Sequence, residues 1–254
     1  MKSVNFLAAS LLAGGTSVLG GCMTTSQDGY EVLRVFSDGV GVVRARGEAD
    51  GNRLTLTSIT PGAAEYEGAS IDDGQPVNLD ENSIVITGTD ANGAYYTGNG
   101  FVGATPFAIG GYQTTNNQAL IIYGETSQGD TLLMAGGMEA TAIPNSGSAL
   151  YSGATAIGAR DGTFAETGTF TMNVNFATNK ASIGANTANA ALVGTGINVN
   201  GDKLSGDGLT LTVLGTEHPA VLDGFLNGPN ATAVSGVFHD DSRNPIFGGA
   251  FAGQ

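Results

Sequence analysis

Apolar and polar residues alternate with a period of two along most of the chain from Gly29 onward, a pattern typical of half-buried β-strands. The clearest case is residues 164–176, FAETGTFTMNVNF. Its apolar face consists of Phe164, Gly168, Phe170, Met172, Val174 and Phe176. Only Glu166 interrupts this face, and threonine, asparagine and alanine occupy the other. The pattern predicts a strand with one side turned toward a core.

The same pattern recurs after residue 148. Eight runs are predicted to be strands: 149–157, 164–176, 179–185, 190–200, 203–214, 220–227, 231–239 and 245–252. Turn sequences separate most of them, since ARDGT and NGDK contain the Asp-Gly and Asn-Gly pairs favoured in hairpins, and ATNK and NGPN are short polar turns. The spacing indicates a meander of short antiparallel strands.

Every one of these runs contains an interior glycine. The interior glycines are Gly153, Gly168, Gly184, Gly194 or Gly196, Gly206, Gly224, Gly236 and Gly248. An interior glycine costs about 0.5–1 kcal/mol relative to alanine, so its repetition needs a geometric reason. Sharp coiling and close packing in a small closed barrel supply one, and eight strands enclose just enough space for side chains. An Ala-rich helix over 177–194 is the alternative, against which Gly184 and scattered threonine and asparagine argue.

The region before residue 148 is also β-rich but less regular. Its strand candidates are YEVLRVF, GVVRARGE, NRLTLTSI, NSIVITG, QALIIYGE and DTLLMAGG. Residues 61–82 are expected to form an acidic loop, residues 98–112 a hairpin or barrel-facing loop, and PNSGS at 144–148 a boundary. We therefore predict an all-β fold with a smaller β-rich domain at 22–147 and an eight-stranded antiparallel β-barrel domain at 148–254.

The first 22 residues carry a targeting signal. One positive charge, Lys2, precedes an apolar stretch from Phe6 to Leu19, which is typical of a secretory signal peptide and too short to span a membrane. The ending LGGC resembles a bacterial lipobox, which implies lipidation of Cys22 and a signal peptide of residues 1–21. Cys22 is the sole cysteine, so no intramolecular disulfide can form. An ordinary signal peptide followed by a chance cysteine is the alternative.

Charge narrows the set of partners. The chain has 9 basic and 23 acidic residues and a formal net charge of −14, so nucleic acid and anionic lipid headgroups would be repelled. Fifteen of the acidic residues and four of the basic ones lie within 22–147. This excess is either a solubilising surface or a patch that attracts a basic partner.

The C-terminal sequence resembles a known family. LDGFLNGPNATAVSGVF followed by IFGGAFAG is similar to the end of the β-barrel domains of transferrin-binding protein B, and TFTMNVNFATNKASIGA and INVNGDKLSGDG are similar to earlier hairpins of that domain. The resemblance covers residues 148–254. It implies a surface lipoprotein with a handle-like domain before the barrel, and partner contacts in loops at one end. Family members that take iron from transferrin have two such lobes, whereas this chain has room for one.

Catalytic signatures are sparse. His218 and His239 lie beside predicted turns and are expected to be surface residues, and HDDSRN (239–244) is expected to be a polar loop rather than a metal or carboxylate site. ADGN, TDANG and GDGL lack the spacing of a calcium-binding EF-hand. We expect no enzyme activity, no metal and no cofactor. Possible binding anchors form an aromatic cluster, for which the alternative is a core role: Tyr95, Tyr96, Phe101, Phe107 and Tyr112.

The sequence therefore predicts a monomeric, lipid-anchored outer-membrane binding protein of a Gram-negative bacterium. Its ligand would be a protein or an iron- or haem-bearing molecule, captured through loops in the service of iron acquisition. The alternative is an envelope lipoprotein with a structural role and no soluble ligand. The ligand-binding residues and the side of the membrane that the protein faces stay open.

Overall fold

The computed structural model contains two antiparallel β-sheets and describes residues 30–36, 42–50, 53–61, 77–79, 83–102, 105–116, 118–127 and 129–254. Cys22 and the signal-peptide region lie outside these residues. The predicted all-β class is confirmed. In the part of the chain that is described, no helix has the length and apolar character needed to cross a membrane.

The first sheet, called here the N-terminal sheet, has nine strands. They are β1 (Tyr30–Phe36), β2 (Val42–Asp50), β3 (Arg53–Pro61), β4 (Val77–Leu79), β5 (Val85–Thr89), β6 (Gly93–Val102), β7 (Thr105–Thr114), β8 (Ala119–Thr126) and β9 (Thr131–Met138). Their order is β4-β3-β2-β1-β9-β8-β7-β6-β5. Because β4 also pairs with β6, the ring of strands closes through β4.

Two segments of the N-terminal sheet had been assigned to loops or hairpins from the sequence. Residues 98–102 and 105–112 lie in β6 and β7, which pair antiparallel, as the hairpin interpretation predicted. Residues 61–82 were expected to form a loop, but they include the last residue of β3 and all of β4, and their remainder lies outside the described residues. Three residues are too few for a period of two to reveal a strand.

The second sheet is a closed barrel of eight strands. They are β10 (Ser148–Ala159), β11 (Ala165–Asn175), β12 (Lys180–Asn186), β13 (Ala190–Asn200), β14 (Lys203–Val213), β15 (Thr216–Asn227), β16 (Ala233–Asp240) and β17 (Phe247–Gly253). Each strand pairs with the next, and β17 pairs back with β10 from Gly253–Gly153 to Phe247–Ala159. The predicted eight-stranded barrel is confirmed. The helix considered for 177–194 is wrong, since β12 and β13 occupy that segment.

One barrel turn differs from its prediction. Strand β15 begins at Thr216, four residues earlier than expected, because a two-residue turn at Leu214 and Gly215 follows β14 directly. Both turn residues have positive φ, 50° for Leu214 and 80° for Gly215. Leucine seldom adopts that conformation, so the sequence carried no turn signal at this point.

The barrel interior is filled by apolar side chains from alternate positions of every strand. On β11 these are Phe170, Met172 and Val174, all at most 1% exposed, while the threonines and asparagines between them are exposed. Two glycines of β16 and β17 lie beneath aromatic rings. A β-carbon added to Gly236 would lie 2.5 Å from Cζ of Phe251, and one added to Gly249 would lie 2.1 Å from Cζ of Phe238. These glycines therefore make room for the rings that fill the barrel.

The N-terminal sheet packs on the outside of the barrel. A second core cluster joins Leu33, Tyr112 and Ile121 of the sheet to outward-facing residues of the barrel. The barrel residues of this cluster are Ala154, Ala156, Phe225, Ala233, Val237, Ala250 and Ala252. We call β10, β15, β16 and β17 the covered wall and β11 to β14 the free wall. Strand β16 is buried at all eight positions, whereas burial alternates on β11.

Polar contacts attach the sheet to the barrel at both ends. At one end the Thr131 hydroxyl donates to the carbonyl of Ala159 (2.5 Å). At the other, the backbone N–H of Gly228 donates to the carbonyl of Met138 (2.9 Å). The amide of Asn92 also donates to the Ser152 hydroxyl (2.8 Å). Together with the shared core, these contacts fix the sheet against the covered wall.

Candidate functional site

Four connections lie at one end of the barrel, and we call them the rim turns. They are residues 160–164, 187–189, 214–215 and 241–246, which follow β10, β12, β14 and β16. Backbone hydrogen bonds join them in pairs. The N–H of Arg160 donates to the carbonyl of Ile246 (2.8 Å), and that of Leu214 donates to the carbonyl of Asn189 (2.9 Å). Each rim turn is therefore held by hydrogen bonding to one other rim turn.

Glu166, at the start of β11, is hydrogen-bonded to the rim turn at 187–189. One carboxylate oxygen accepts hydrogen bonds from the Thr187 hydroxyl (2.6 Å) and the Asn189 N–H (2.8 Å), and the other accepts one from the Asn189 side-chain amide (2.6 Å). These hydrogen bonds, led by that from Thr187, lower the pKa of Glu166 below its ordinary value. The residue that interrupted the apolar face of β11 thus anchors a turn.

Asp240 has the equivalent role in the turn at 241–246. Its carboxylate accepts hydrogen bonds from the N–H groups of Ile246 and Phe247, both at 2.7 Å. The polar loop predicted for HDDSRN is confirmed only for residues 241–244, because His239 and Asp240 are the buried last two residues of β16. In the part of the chain that is described, no group of three His, Cys, Asp or Glu side chains could hold a metal ion.

Exposed apolar side chains stand on the rim turns. Leu214 is 68% exposed and Ile246 is 57% exposed. Leu214 keeps a left-handed φ of 50° at a position where asparagine or glycine would be unstrained. Leu214 therefore combines a strained backbone with a side chain that contributes little to the core. Leu214 was not predicted as an exposed turn residue, because the alternating strand pattern continues through residue 214.

A cleft of about 410 Å³ opens between the N-terminal sheet and the barrel beside the rim. Strands β7, β8 and β9 form one side, and β10, β11 and the turn at 160–164 form the other. Tyr123, Glu125 and Glu166 are its aromatic and acidic lining residues. No local sequence pattern reveals this cleft, since five different strands and one turn between Ala108 and Thr167 contribute to its lining.

The aromatic cluster is mainly core. Tyr112, Tyr96 and Phe107 are at most 4% exposed, whereas Tyr95 is half-buried and the side chain of Phe101 lies outside the described residues. The ring centroids of Tyr95 and Tyr112 are 4.9 Å apart, and both hydroxyls donate to Asp90 at 3.3 Å. Burial, followed by the charge of Asp90, raises the pKa of Tyr95 to about 12. These phenols stay neutral and serve packing.

The two histidines differ in environment. His218 is partly exposed on β15 and its ring lies 5.2 Å from that of Phe247. His239 was expected at the surface and that prediction is wrong: it lies on β16, is 1% exposed, and its Nδ1 donates to the carbonyl of Asp240 (2.7 Å). Burial lowers the pKa of His239, so the neutral imidazole is favoured. The covered wall, which the sequence analysis did not foresee, explains this burial.

Comparisons with known proteins identify the fold. The sequence matches no protein-family model and no curated protein. The structure is similar to transferrin binding protein B (TbpB) from Haemophilus parasuis, with a TM-score of 0.57 at 12% identity, over 89% of this chain and 45% of that one. The fold is that of transferrin-binding protein B. TbpB from Neisseria meningitidis is similar at a TM-score of 0.54 and 12% identity, over 89% of this chain and 43% of that one.

A smaller protein matches over most of its own length. HpuA from Kingella denitrificans, solved in complex with human haemoglobin, has a TM-score of 0.51 at 13% identity, over 91% of this chain and 89% of that one. The chain thus spans less than half of the two TbpB chains and nearly all of HpuA. The likeness includes the N-terminal sheet, beyond the residues 148–254 that carried the resemblance in sequence.

Proposed function

We propose that the chain is a lipid-anchored binding protein of a bacterial outer membrane, which captures a protein or an iron- or haem-bearing ligand through the rim turns and catalyses no reaction. The observation that carries the proposal is the rim itself, where hydrogen-bonded turns present Leu214 and Ile246 to solvent. Binding sites favour such preorganised apolar contacts, because little conformational entropy is lost when they are covered.

The fold supports the nature of the ligand. TbpB is named for transferrin, and HpuA was solved with human haemoglobin bound. Since this chain covers 89% of HpuA, one sheet and one barrel of this size favour a haem-bearing protein as the first ligand to test. Within the proposal, residues 1–21 are the signal peptide, 22–147 a handle-like domain and 148–254 the barrel domain. The support for an anchor at Cys22 comes from the sequence alone.

The first experiment measures capture on cells. Cells that express the chain are incubated with labelled human haemoglobin, human transferrin or haemin, and bound label is counted after washing. We expect at least one probe to bind, and we expect Cys22→Ser to release the protein from the membrane and abolish cell-associated label. If none of the three probes binds to cells or to the purified chain, the proposed ligand class is wrong and a structural envelope role is favoured.

The second experiment tests the rim with variants that keep the fold. Leu214→Asn removes an apolar contact at a φ that asparagine tolerates, and Ile246→Asp places a charge on the neighbouring turn. Each is expected to weaken binding of the captured probe about tenfold, the effect of losing one interface contact of about 1.4 kcal/mol. Leu150→Asp is the matched control, because Leu150 is 69% exposed at the opposite end of the barrel. Equal losses for all three variants would contradict a role for the rim.

A further inference from the structure

The cleft between sheet and barrel has sides that are held at a fixed separation. The backbone N–H of Thr131 on β9 donates to the carbonyl of Arg160 (3.0 Å), next to the bond from the Thr131 hydroxyl to Ala159. The volume of the cleft, about 410 Å³, lies within the range of small-molecule pockets, roughly 300–1,000 Å³. A cleft with such sides is a preformed site rather than a gap that closes on relaxation.

An aromatic ring forms part of the lining. The ring of Tyr123 on β8 lies across Gly110 of β7, where an added β-carbon would be 2.3 Å from Cε2 of Tyr123. Gly110 therefore leaves space for the ring of Tyr123, and both residues line the cleft. Burial raises the pKa of Tyr123, so the phenol stays neutral and keeps the electron-rich face that attracts cations.

The charge around the cleft is negative. Glu125 is exposed at its edge, with its carboxylate close to Gly162 of the facing rim turn, where a β-carbon would be 3.5 Å from Oε1. No described residue donates a hydrogen bond to that carboxylate. Glu166, on the barrel side, is held ionised by its hydrogen bonds to Thr187 and Asn189. Among the described residues that line the cleft there is no lysine or arginine, and Arg160 lies in the adjoining part of the rim turn.

We propose that this cleft binds a small organic cation, an ammonium or guanidinium group on a short apolar stem. The charged group pairs with Glu125, and the stem lies on the ring of Tyr123 between glycine and alanine surfaces. The net charge of −14 adds a long-range attraction for such a ligand. This site goes beyond the proposed function, since it depends on neither a protein partner nor the apolar tips of the rim turns.

The experiment titrates the purified chain with phenethylammonium chloride at low ionic strength, followed by calorimetry, with 2-phenylethanol as the neutral analogue. Glu125→Gln is expected to weaken phenethylammonium binding about tenfold, the effect of removing one charge-assisted contact. Glu217→Gln is the matched control, because Glu217 is exposed on β15 outside the cleft and its loss changes the net charge equally. Its effect is expected to stay below about twofold.

A second variant separates the site from general electrostatics. Ala108 is exposed on β7 and lines the cleft, so Ala108→Phe fills the space without disturbing the core and is expected to abolish binding. Thermal unfolding of each variant confirms that it is folded. The proposal is overturned if phenethylammonium does not bind, if the alcohol binds as tightly as the ammonium, if Glu217→Gln and Glu125→Gln weaken binding equally, or if Ala108→Phe binds normally.

Discussion

The two walls of the barrel are alike on the inside and different on the outside. Both contribute large apolar side chains to one interior cluster, such as Phe170 from the free wall and Phe251 from the covered wall. On the outside, the free wall carries exposed threonine and asparagine, whereas the covered wall, where the sheet packs on it, carries mainly buried alanine and valine together with Phe225 and Gly248. Outward positions Ala250 and Ala252 of β17 are fully buried.

This difference shows that glycine and alanine have two separate roles in the barrel. Inward glycines such as Gly236 leave room for aromatic rings. Outward small residues let the N-terminal sheet approach closely, as Gly248 does opposite Val35 and Phe36. The sharp coiling and close packing that were predicted from the sequence include the inward role, but they do not include the outward one.

The largest expected effect comes from placing a charge on each wall. Val237→Asp on the covered wall would bury a carboxylate in the core shared with the sheet, so we expect a loss of about 3–5 kcal/mol in the free energy of unfolding. Thr171→Asp on the exposed face of the free wall is the matched change, with an expected loss below about 0.5 kcal/mol. Urea denaturation measures both. Similar losses would mean that the walls are not distinct.

A smaller effect is expected from adding one methyl group to each wall. In Gly248→Ala the new β-carbon would lie 2.9 Å from Cγ1 of Val35 and 3.0 Å from Cε2 of Phe36, so a destabilisation of about 1–2 kcal/mol is expected. In Gly184→Ala on the free wall the nearest described side-chain atom is 4.0 Å away, so the change should be neutral or stabilising by up to about 1 kcal/mol. If Gly248→Ala instead raises the free energy of unfolding, the N-terminal sheet does not pack closely against the covered wall at Gly248.

The smallest effect concerns the carboxylate that ties the free-wall turns. Because the pKa of Glu166 is lowered in the folded state, its stabilising contribution is complete above the ordinary glutamate pKa and is lost as the pH falls through the lowered value. Glu166→Gln should therefore lower the melting temperature at neutral pH and reduce its decline in acid. Melting curves of both proteins between about pH 2 and pH 7, a range that includes the titration of carboxyl groups, test this prediction. If the melting temperatures of both proteins decline in parallel as the pH falls, the hydrogen bonds of the Glu166 carboxylate do not stabilise the fold.

The barrel was predictable because its signals are local. Alternation along FAETGTFTMNVNF and the glycines of ARDGT and NGDK each depend on a few neighbouring residues, and Gly162 and Gly201 do have positive φ. The burial of His239 depends instead on the packing of β1, β8 and β9 against β16, which lies about a hundred or more residues further along the chain. The cleft beside Glu125 depends on five strands between Ala108 and Thr167. A hint of the covered wall was present in FGGAFAG, whose two faces are both apolar, but the sequence does not say what covers the second face.

The pairing of β10 with β17 has a consequence for assembly. Gly153 meets Gly253, so the first strand of the barrel cannot gain its second neighbour until a segment about a hundred residues further along has formed. Until then β10 presents an open edge to which another chain could add. The pairing of β10 with β17 leaves the finished barrel without an open edge, but it is the last pairing to form.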